Sequence, residues 1–257
     1  MCRDLAQIIS HYCSTNFRDG KPAPRYILNT LCTALAYLTI HTHQIWPTLV
    51  SDLTTQFSGD LEQALCLMRI LKYMADDCDN EQIVVEESLK QSYYHFLDSH
   101  ARLHIFKNIF SKWAENLPLL VNNANAQNDQ AQKTKVMLLH NRLMDTFLAW
   151  IKLALPAEVF DNLLTENQPL IDLVFQQLGT DDDDNLHVAT SVVVELMKNT
   201  RVAKNKIAPF IDVVVSKQQA LQEMVQQVIE SGDNERAEQF THIFVEISFS
   251  KMDQIID

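Results

Sequence analysis

Apolar residues recur every three to four positions along almost the entire chain, and this spacing constrains the fold more than any other feature. Leu186, Ala189, Val193 and Leu196, for example, would share one face of a helix. No segment shows the alternating pattern between turn residues that is typical of a half-buried β-strand. The four glycines fall between the periodic segments, where helices usually end. They are Gly20, Gly59, Gly179 and Gly232. The sequence therefore predicts an all-α protein.

The predicted helices come in antiparallel pairs joined by short links, and a single pair cannot bury both of its apolar faces. Successive pairs recur at about 40–47 residues, which is the repeat length of HEAT-type arrays. We therefore predict a HEAT-repeat α-solenoid, a right-handed superhelical array of antiparallel helix pairs. Residues 1–257 would form a single array of about five to six such pairs.

Polar stretches are predicted to separate or interrupt some helices of the first half. Residues 76–81 should form an acidic link, and the long helix after it should break near Asp98 and Ser99. The stretch around 121–132, which is rich in Asn, Gln and Ala, is predicted to be a mobile polar loop.

Prolines and aspartates predict where helices begin in the second half of the chain. Pro156 and Pro169 should each lie in the first turn of a short helix. The aspartates at 181–184 should open another helix, because carboxylates stabilise the positive end of the helix dipole. A further long helix is predicted from about Lys204 to Gly232.

The charge balance and the cysteine pattern argue against several classes of function. The net charge is -12, and the chain lacks the clustered Lys and Arg that nucleic-acid binding requires, so no direct nucleic-acid partner is expected. The five cysteines have no paired spacing, which is typical of free thiols in a reducing compartment. No apolar run approaches the ~18 residues of a membrane span, so no membrane partner is expected.

Sequence motifs for catalysis, cofactors and metals are also absent. The glycines are too few and too scattered for a nucleotide-binding loop, and no Gly-x-Ser-x-Gly nucleophile motif occurs. His100 and His104 have the spacing of a zinc pair on one helix face, but Ala101 replaces the expected glutamate and no third ligand is identifiable. We therefore predict no catalytic, cofactor-binding or metal-binding residues and a non-enzymatic role.

Several short strings occur in the order in which one known family carries similar ones. LCTALAYL at 31–38 and LMRILKYMADD at 67–77 are similar to two early repeats of that family. NLH at 185–187 is similar to the start of a family helix, and HIFVEI at 242–247 to a string in a later one. Together these strings resemble the HEAT repeats of the importin-β superfamily, specifically its transportin-SR branch.

The resemblance covers most of residues 29–257 and is weakest from 87 to 132. It implies a nuclear import receptor that binds protein cargo, Ran-GTP and nucleoporin repeats and works in both cytoplasm and nucleus. For this branch it also implies basic or Arg/Ser-rich cargo. Family members are several times longer, so we expect an amino-proximal fragment or a truncated relative, with at best a partial Ran site.

Acidic residues of two predicted links are the candidate partner-binding residues. They are Asp76, Asp77, Asp79, Asp181, Asp182, Asp183 and Asp184. They could attract Lys/Arg-rich partners by charge, or they could be solvated helix caps, and the sequence leaves both interpretations open. The alternative function is a general HEAT-repeat scaffold for cytoplasmic protein complexes, since any such array offers an interaction surface.

Overall fold

The computed structural model describes residues 2–18, 25–79, 85–153, 168–202 and 213–256. All regular structure in these ranges is helical, and no strand occurs among them, which confirms the all-α prediction. The chain divides into two compact units, Met1–Trp150 and Ile151–Asp257.

The helices of the first unit are named in chain order, and the last of them runs just past the unit boundary. They are α1 (Cys2–Arg18), α2 (Arg25–Thr42), α3 (Leu49–Gln56), α4 (Leu61–Asp79), α5 (Glu87–Phe96), α6 (Arg102–His104), α7 (Ser111–Ala126) and α8 (Gln130–Lys152). Within this unit, α2 packs most extensively on α4.

Helices α4 and α8 lie side by side and run in the same direction. The Thr146 hydroxyl donates to the carbonyl of Met68 at 3.0 Å, and one turn further the Trp150 indole N–H donates to the carbonyl of Leu71 at 2.9 Å. Contacts that advance together along both helices identify a parallel pair. Equivalent helices of successive repeats stack in this way, since each repeat covers the apolar face of its neighbour.

Three thiols meet where α1, α2 and α4 pack together. Cys13, Cys32 and Cys66 are almost completely buried and are free thiols, and the sulfur atoms of Cys13 and Cys66 are 3.0 Å apart. The hydrogen bond to Cys66, together with burial, raises the pKa of both Cys13 and Cys32. These cysteines therefore act as small core residues, as a buried thiol usually does.

The helix break predicted near Asp98 and Ser99 is a change of helix type and does not interrupt the helix. The chain is helical from Glu87 to Ala126, with π-helical turns at Leu97–Ala101 and Ile105–Phe110. A π-turn inserts an extra residue without ending the helix, so the apolar spacing changes while the backbone hydrogen bonds continue. The predicted break is therefore wrong, because the backbone stays helical through Asp98 and Ser99.

The polar loop predicted at 121–132 is mostly helical, so the predicted extent is wrong. Helix α7 continues to Ala126, α8 begins at Gln130, and only three residues connect them. Asn128 adopts a φ of 51°, a left-handed conformation that Asn tolerates better than most residues. The Asp129 carboxylate accepts the N–H of Gln132 at 3.0 Å and caps the start of α8. A tight turn needs only these few polar residues, and Ala, Asn and Gln beside it can remain helical.

The second unit contains four described helices. They are α9 (Gln168–Gln177), α10 (Asp183–Val202), α11 (Gln218–Ser231) and α12 (Asn234–Ile256). The starts of α9 and α10 confirm the helix starts predicted near Pro169 and at the aspartates of 181–184. The helix predicted from Pro156 lies outside the described residues.

The predicted long helix of the second unit is described only from residue 213, and 203–212 lie outside the described residues. Its described part is divided at Lys217, which stands at the N-cap position of α11 with a φ of -93° and a ψ of 1°. Gly232 ends α11 with a left-handed φ of 76°, the conformation for which glycine is preferred at helix ends.

Candidate functional site

The aspartates at the start of α10 stabilise the helix terminus. The Asp182 carboxylate accepts the backbone N–H of Asn185 at 3.0 Å, which is the usual bond of an N-cap side chain. Asp183 and Asp184 follow in the first turn, where the positive end of the helix dipole favours negative charge. Asp182 therefore serves as the N-cap of α10, and the charges of Asp183 and Asp184 also stabilise the start of this helix.

Arg236 of α12 binds two of these aspartates. Its Nε lies 2.7 Å from Asp183 Oδ1 and 3.5 Å from Asp233 Oδ2. Its Nη1 lies 3.8 Å from Asp181 Oδ1, and its Nη2 donates to the Asp181 carbonyl. The hydrogen bond to Asp183, helped by the charges of all three carboxylates, raises the pKa of Arg236. Asp184, by contrast, is exposed and has no ion pair among the described residues.

The acidic link predicted at 76–81 begins later than expected, because α4 continues to Asp79. Asp76 and Asp77 are therefore helical. The chain has no Gly or Pro at this point to end the helix, and Lys72 Nζ lies 2.5 Å from Asp76 Oδ2 in an (i, i+4) pair. Such a pair favours the helical conformation.

Asp77 is buried, which was not expected of a docking residue. It is 8% exposed, and its Oδ2 has no hydrogen-bond partner among the described residues. Burial, with a smaller effect of the neighbouring Asp76 charge, raises the pKa of Asp77 to about 6. The side chain of Asp79 lies outside the described residues.

The seven predicted acidic residues thus differ in what they offer a partner. Asp181 and Asp183 contact Arg236, Asp182 caps α10, Asp76 pairs with Lys72, and Asp77 is buried. Asp184 has an exposed carboxylate and no internal partner among the described residues. The partner-binding role of the set stays a prediction.

Sequence reasoning missed Arg236, which organises this acidic region. Its (i, i+3) spacing to Asp233, directly after Gly232, was a local signal for a charged helix start. Its contacts with Asp181 and Asp183 join residues more than 50 positions apart. Only the packing of α10 against α12 brings these residues together.

The histidines considered as a zinc pair engage in local contacts. The Ser99 hydroxyl oxygen lies 2.6 Å from His100 Nδ1, and Asn108 Nδ2 lies 3.2 Å from His104 Nδ1. Among the described residues, no group of three or more His, Cys, Asp or Glu is arranged to hold a metal ion. Within the same ranges, no helix is both long and apolar enough to cross a lipid bilayer.

Helices that pack against one another, with no strand among the described residues, define the fold class as a helical array. In the comparison with protein families, the model of the exportin 1-like family matches residues 24–194, about two thirds of the chain. The chain belongs to the exportin 1-like family. This membership confirms the HEAT-type α-solenoid fold and places the chain in the importin-β/exportin superfamily. No curated protein and no solved structure matches the chain.

The family defines a broad class of function. Its members are karyopherin-type nuclear transport receptors that bind protein partners, and they are not enzymes. This class agrees with the transport role that the sequence resemblance implied.

Proposed function

We propose that this chain acts in nuclear import as a cargo-binding part of a transportin-SR-like receptor. It would bind basic or Arg/Ser-rich protein cargo, contact nucleoporin repeats and, through a partial site at best, Ran-GTP, in both cytoplasm and nucleus. The observation that carries the proposal is the exportin 1-like match over residues 24–194. The strings that resemble the transportin-SR branch support the choice of branch.

The charge of the chain supports a basic cargo. The net charge is -12, and the exposed Asp184 carboxylate adds to an acidic surface at the start of α10. A negative surface raises the rate at which a positive partner arrives, and this steering weakens as salt increases. An Arg/Ser-rich segment is positively charged before phosphorylation and would benefit from this attraction.

A binding assay with three ligands tests the proposal. Fluorescent Arg-Ser repeat peptide, Phe-Gly repeat peptide and Ran-GTP would each be titrated with the chain at low and at physiological salt. We expect the Arg-Ser and Phe-Gly peptides to bind. Salt should weaken binding of the Arg-Ser peptide more than binding of the Phe-Gly peptide. A Glu-Ser repeat peptide of equal length is the matched control and should not bind.

The outcomes separate the proposed receptor from the alternative scaffold. Absence of binding to both the Phe-Gly peptide and Ran-GTP would contradict a transport role and favour a general HEAT-repeat scaffold. Binding of the Glu-Ser peptide as strongly as the Arg-Ser peptide would contradict the cargo class. A change in the affinity for the Arg-Ser peptide when Ran-GTP is added would show that the two ligands are coupled.

One substitution tests the acidic surface without disturbing the helix cap. Asp184→Asn removes a charge from a residue that has no internal partner among the described residues. We expect the Arg-Ser affinity to fall by about twofold, as for one solvent-exposed charge pair. Glu115→Gln, an exposed change of equal charge in the first unit, is the control. Equal affinity of both variants would exclude Asp184 from the binding surface.

A further inference from the structure

A groove runs between α10 and α12 in the second unit. Its cavity has a volume of about 430 Å³, within the range of roughly 300–1,000 Å³ that small-ligand sites occupy. One edge comes from each helix. The residues are His187, Thr190, Ser191 and Val194 of α10 and Glu235, Glu238, Gln239 and His242 of α12. Each set has the spacing of one helix face, so one face of α10 and one face of α12 line the groove.

The floor of the groove contains oxygen atoms with no partner. Thr190 is 4% exposed, and its hydroxyl oxygen has no hydrogen bond among the described residues. The amide oxygen of Gln239 is buried and is also unpaired there. Leaving such groups unsatisfied is unfavourable, and most buried polar atoms in folded proteins are paired. Two of them in one groove indicate a ligand that donates hydrogen bonds.

The rim of the groove is negatively charged. Glu235 and Glu238 are exposed, and neither side chain forms an ion pair or hydrogen bond among the described residues. Arg236, the nearest arginine in sequence, is bound by Asp181, Asp183 and Asp233. The groove therefore combines two carboxylates with two buried acceptor oxygens and has no arginine or lysine among its lining residues.

A guanidinium group matches this set of acceptors. It carries five N–H donors in a planar fork, remains charged at all physiological pH values, and pairs strongly with carboxylates. Val194 gives the groove one apolar wall, which suits the three methylene groups of an arginine side chain. An anionic ligand such as phosphate would meet repulsion from Glu235 and Glu238.

We propose that the groove between α10 and α12 binds an arginine side chain of a partner protein. This proposal rests on the proposed function in one respect, since it assigns a specific contact to a basic cargo. Glu238 and Glu235 would pair with the guanidinium, while Thr190 and Gln239 would accept hydrogen bonds below it.

The direct test uses a minimal probe in place of a whole cargo. N-acetyl-arginine methylamide would be titrated into the full chain, and the imidazole signals of His187 and His242 would be followed by NMR, since both rings line the groove. We expect saturable shifts of both signals. The citrulline analogue has nearly the same shape but no charge and should produce none.

Two groove variants and one control make the test specific. Glu238→Gln removes one exposed carboxylate charge and should weaken binding of the arginine probe by about twofold to fivefold. Thr190→Val keeps the size of the side chain and removes the hydroxyl, so it should weaken the probe several-fold. The melting temperature of Thr190→Val should stay equal or rise, since an unpaired buried hydroxyl is lost. Glu230→Gln on α11, an equal charge change outside the groove, should leave the probe affinity unchanged.

The groove and the transport role can fail separately. Absence of saturable shifts, or equal probe affinity in wild type, Glu238→Gln and Thr190→Val, would overturn the groove assignment. Binding of the Phe-Gly peptide and Ran-GTP would be measured on the same variants and should not change. A wild-type chain that binds the arginine probe but neither of those ligands would support the groove and contradict the transport role.

Discussion

The buried carboxyl of Asp77 gives the sharpest stability prediction. The pKa of Asp77 in the folded chain is about 6, against an ordinary value of 3.8, because burial disfavours the charged form. The folded state therefore holds the proton more tightly than the unfolded state. The stability that this protonation contributes is fully present below about pH 4 and is lost as the pH rises through about 6. At pH 7 the carboxylate is charged, buried and destabilising.

Replacing Asp77 by Asn should relieve this penalty. A shift of about two pKa units corresponds to about 3 kcal/mol. The side chain is 8% exposed and lies near the solvent-exposed Asp76, and solvent screening reduces the expected gain to about 1–2 kcal/mol at pH 7. At about pH 4 the two proteins should have nearly equal stability, because Asp77 is then mostly protonated in the folded chain.

Urea unfolding of both proteins from about pH 4 to about pH 8 measures this difference. The stability of Asp77→Asn relative to wild type should increase over this range, mostly between about pH 4 and 6. Glu115→Gln, an exposed acidic residue for comparison, should show a small change without that profile. A variant that is less stable than wild type at pH 7, or a difference independent of pH, would refute the burial argument.

Three further predictions concern contacts seen within single units. Trp150→Phe removes the hydrogen bond from the indole N–H to the Leu71 carbonyl and leaves a small void. Urea unfolding should therefore show a free energy of unfolding lower by about 2–4 kcal/mol. A decrease below about 0.5 kcal/mol, which is typical of a surface substitution, would exclude a buried hydrogen bond. Arg236→Met should lower the free energy of unfolding by about 1 kcal/mol at low salt and by less at high salt, because the carboxylate of Asp183 is largely exposed. An equal decrease in melting temperature at both salt concentrations would contradict an electrostatic contact. Cys66 is 2% exposed, so an aromatic disulfide reagent should modify it only upon unfolding in urea. Rapid labelling of Cys66 in the native chain, located by peptide mass spectrometry, would contradict the packing of α1, α2 and α4.

The groove between α10 and α12 shows what local sequence patterns can and cannot predict. The positions of α10 and α12 follow from their apolar spacing and from their capping aspartates, which lie within a few residues of each helix start. The pairing of Thr190 with Gln239 across one groove does not follow from any local pattern, because 49 positions separate them. Neither residue had been singled out, since a lone Thr or Gln on a helix carries no signal of its own.

The acidic residues also show that sequence patterns alone do not predict burial or ion pairing. The sequence predicted that Asp181, Asp182, Asp183 and Asp184 begin a helix, and α10 confirms it. It could not predict that Arg236 binds two of them, because that contact depends on the neighbouring helix.

By itself the sequence determined the helical fold class, most helix positions and the resemblance to importin-β repeats, because helices form through contacts three to four residues apart. Only the tertiary structure decided that Asp77 is buried, that the helix continues past Asp98 through a π-turn, and that a groove lies between α10 and α12. Burial and pairing depend on which distant helix covers each face, and the spacing within one helix does not contain that information.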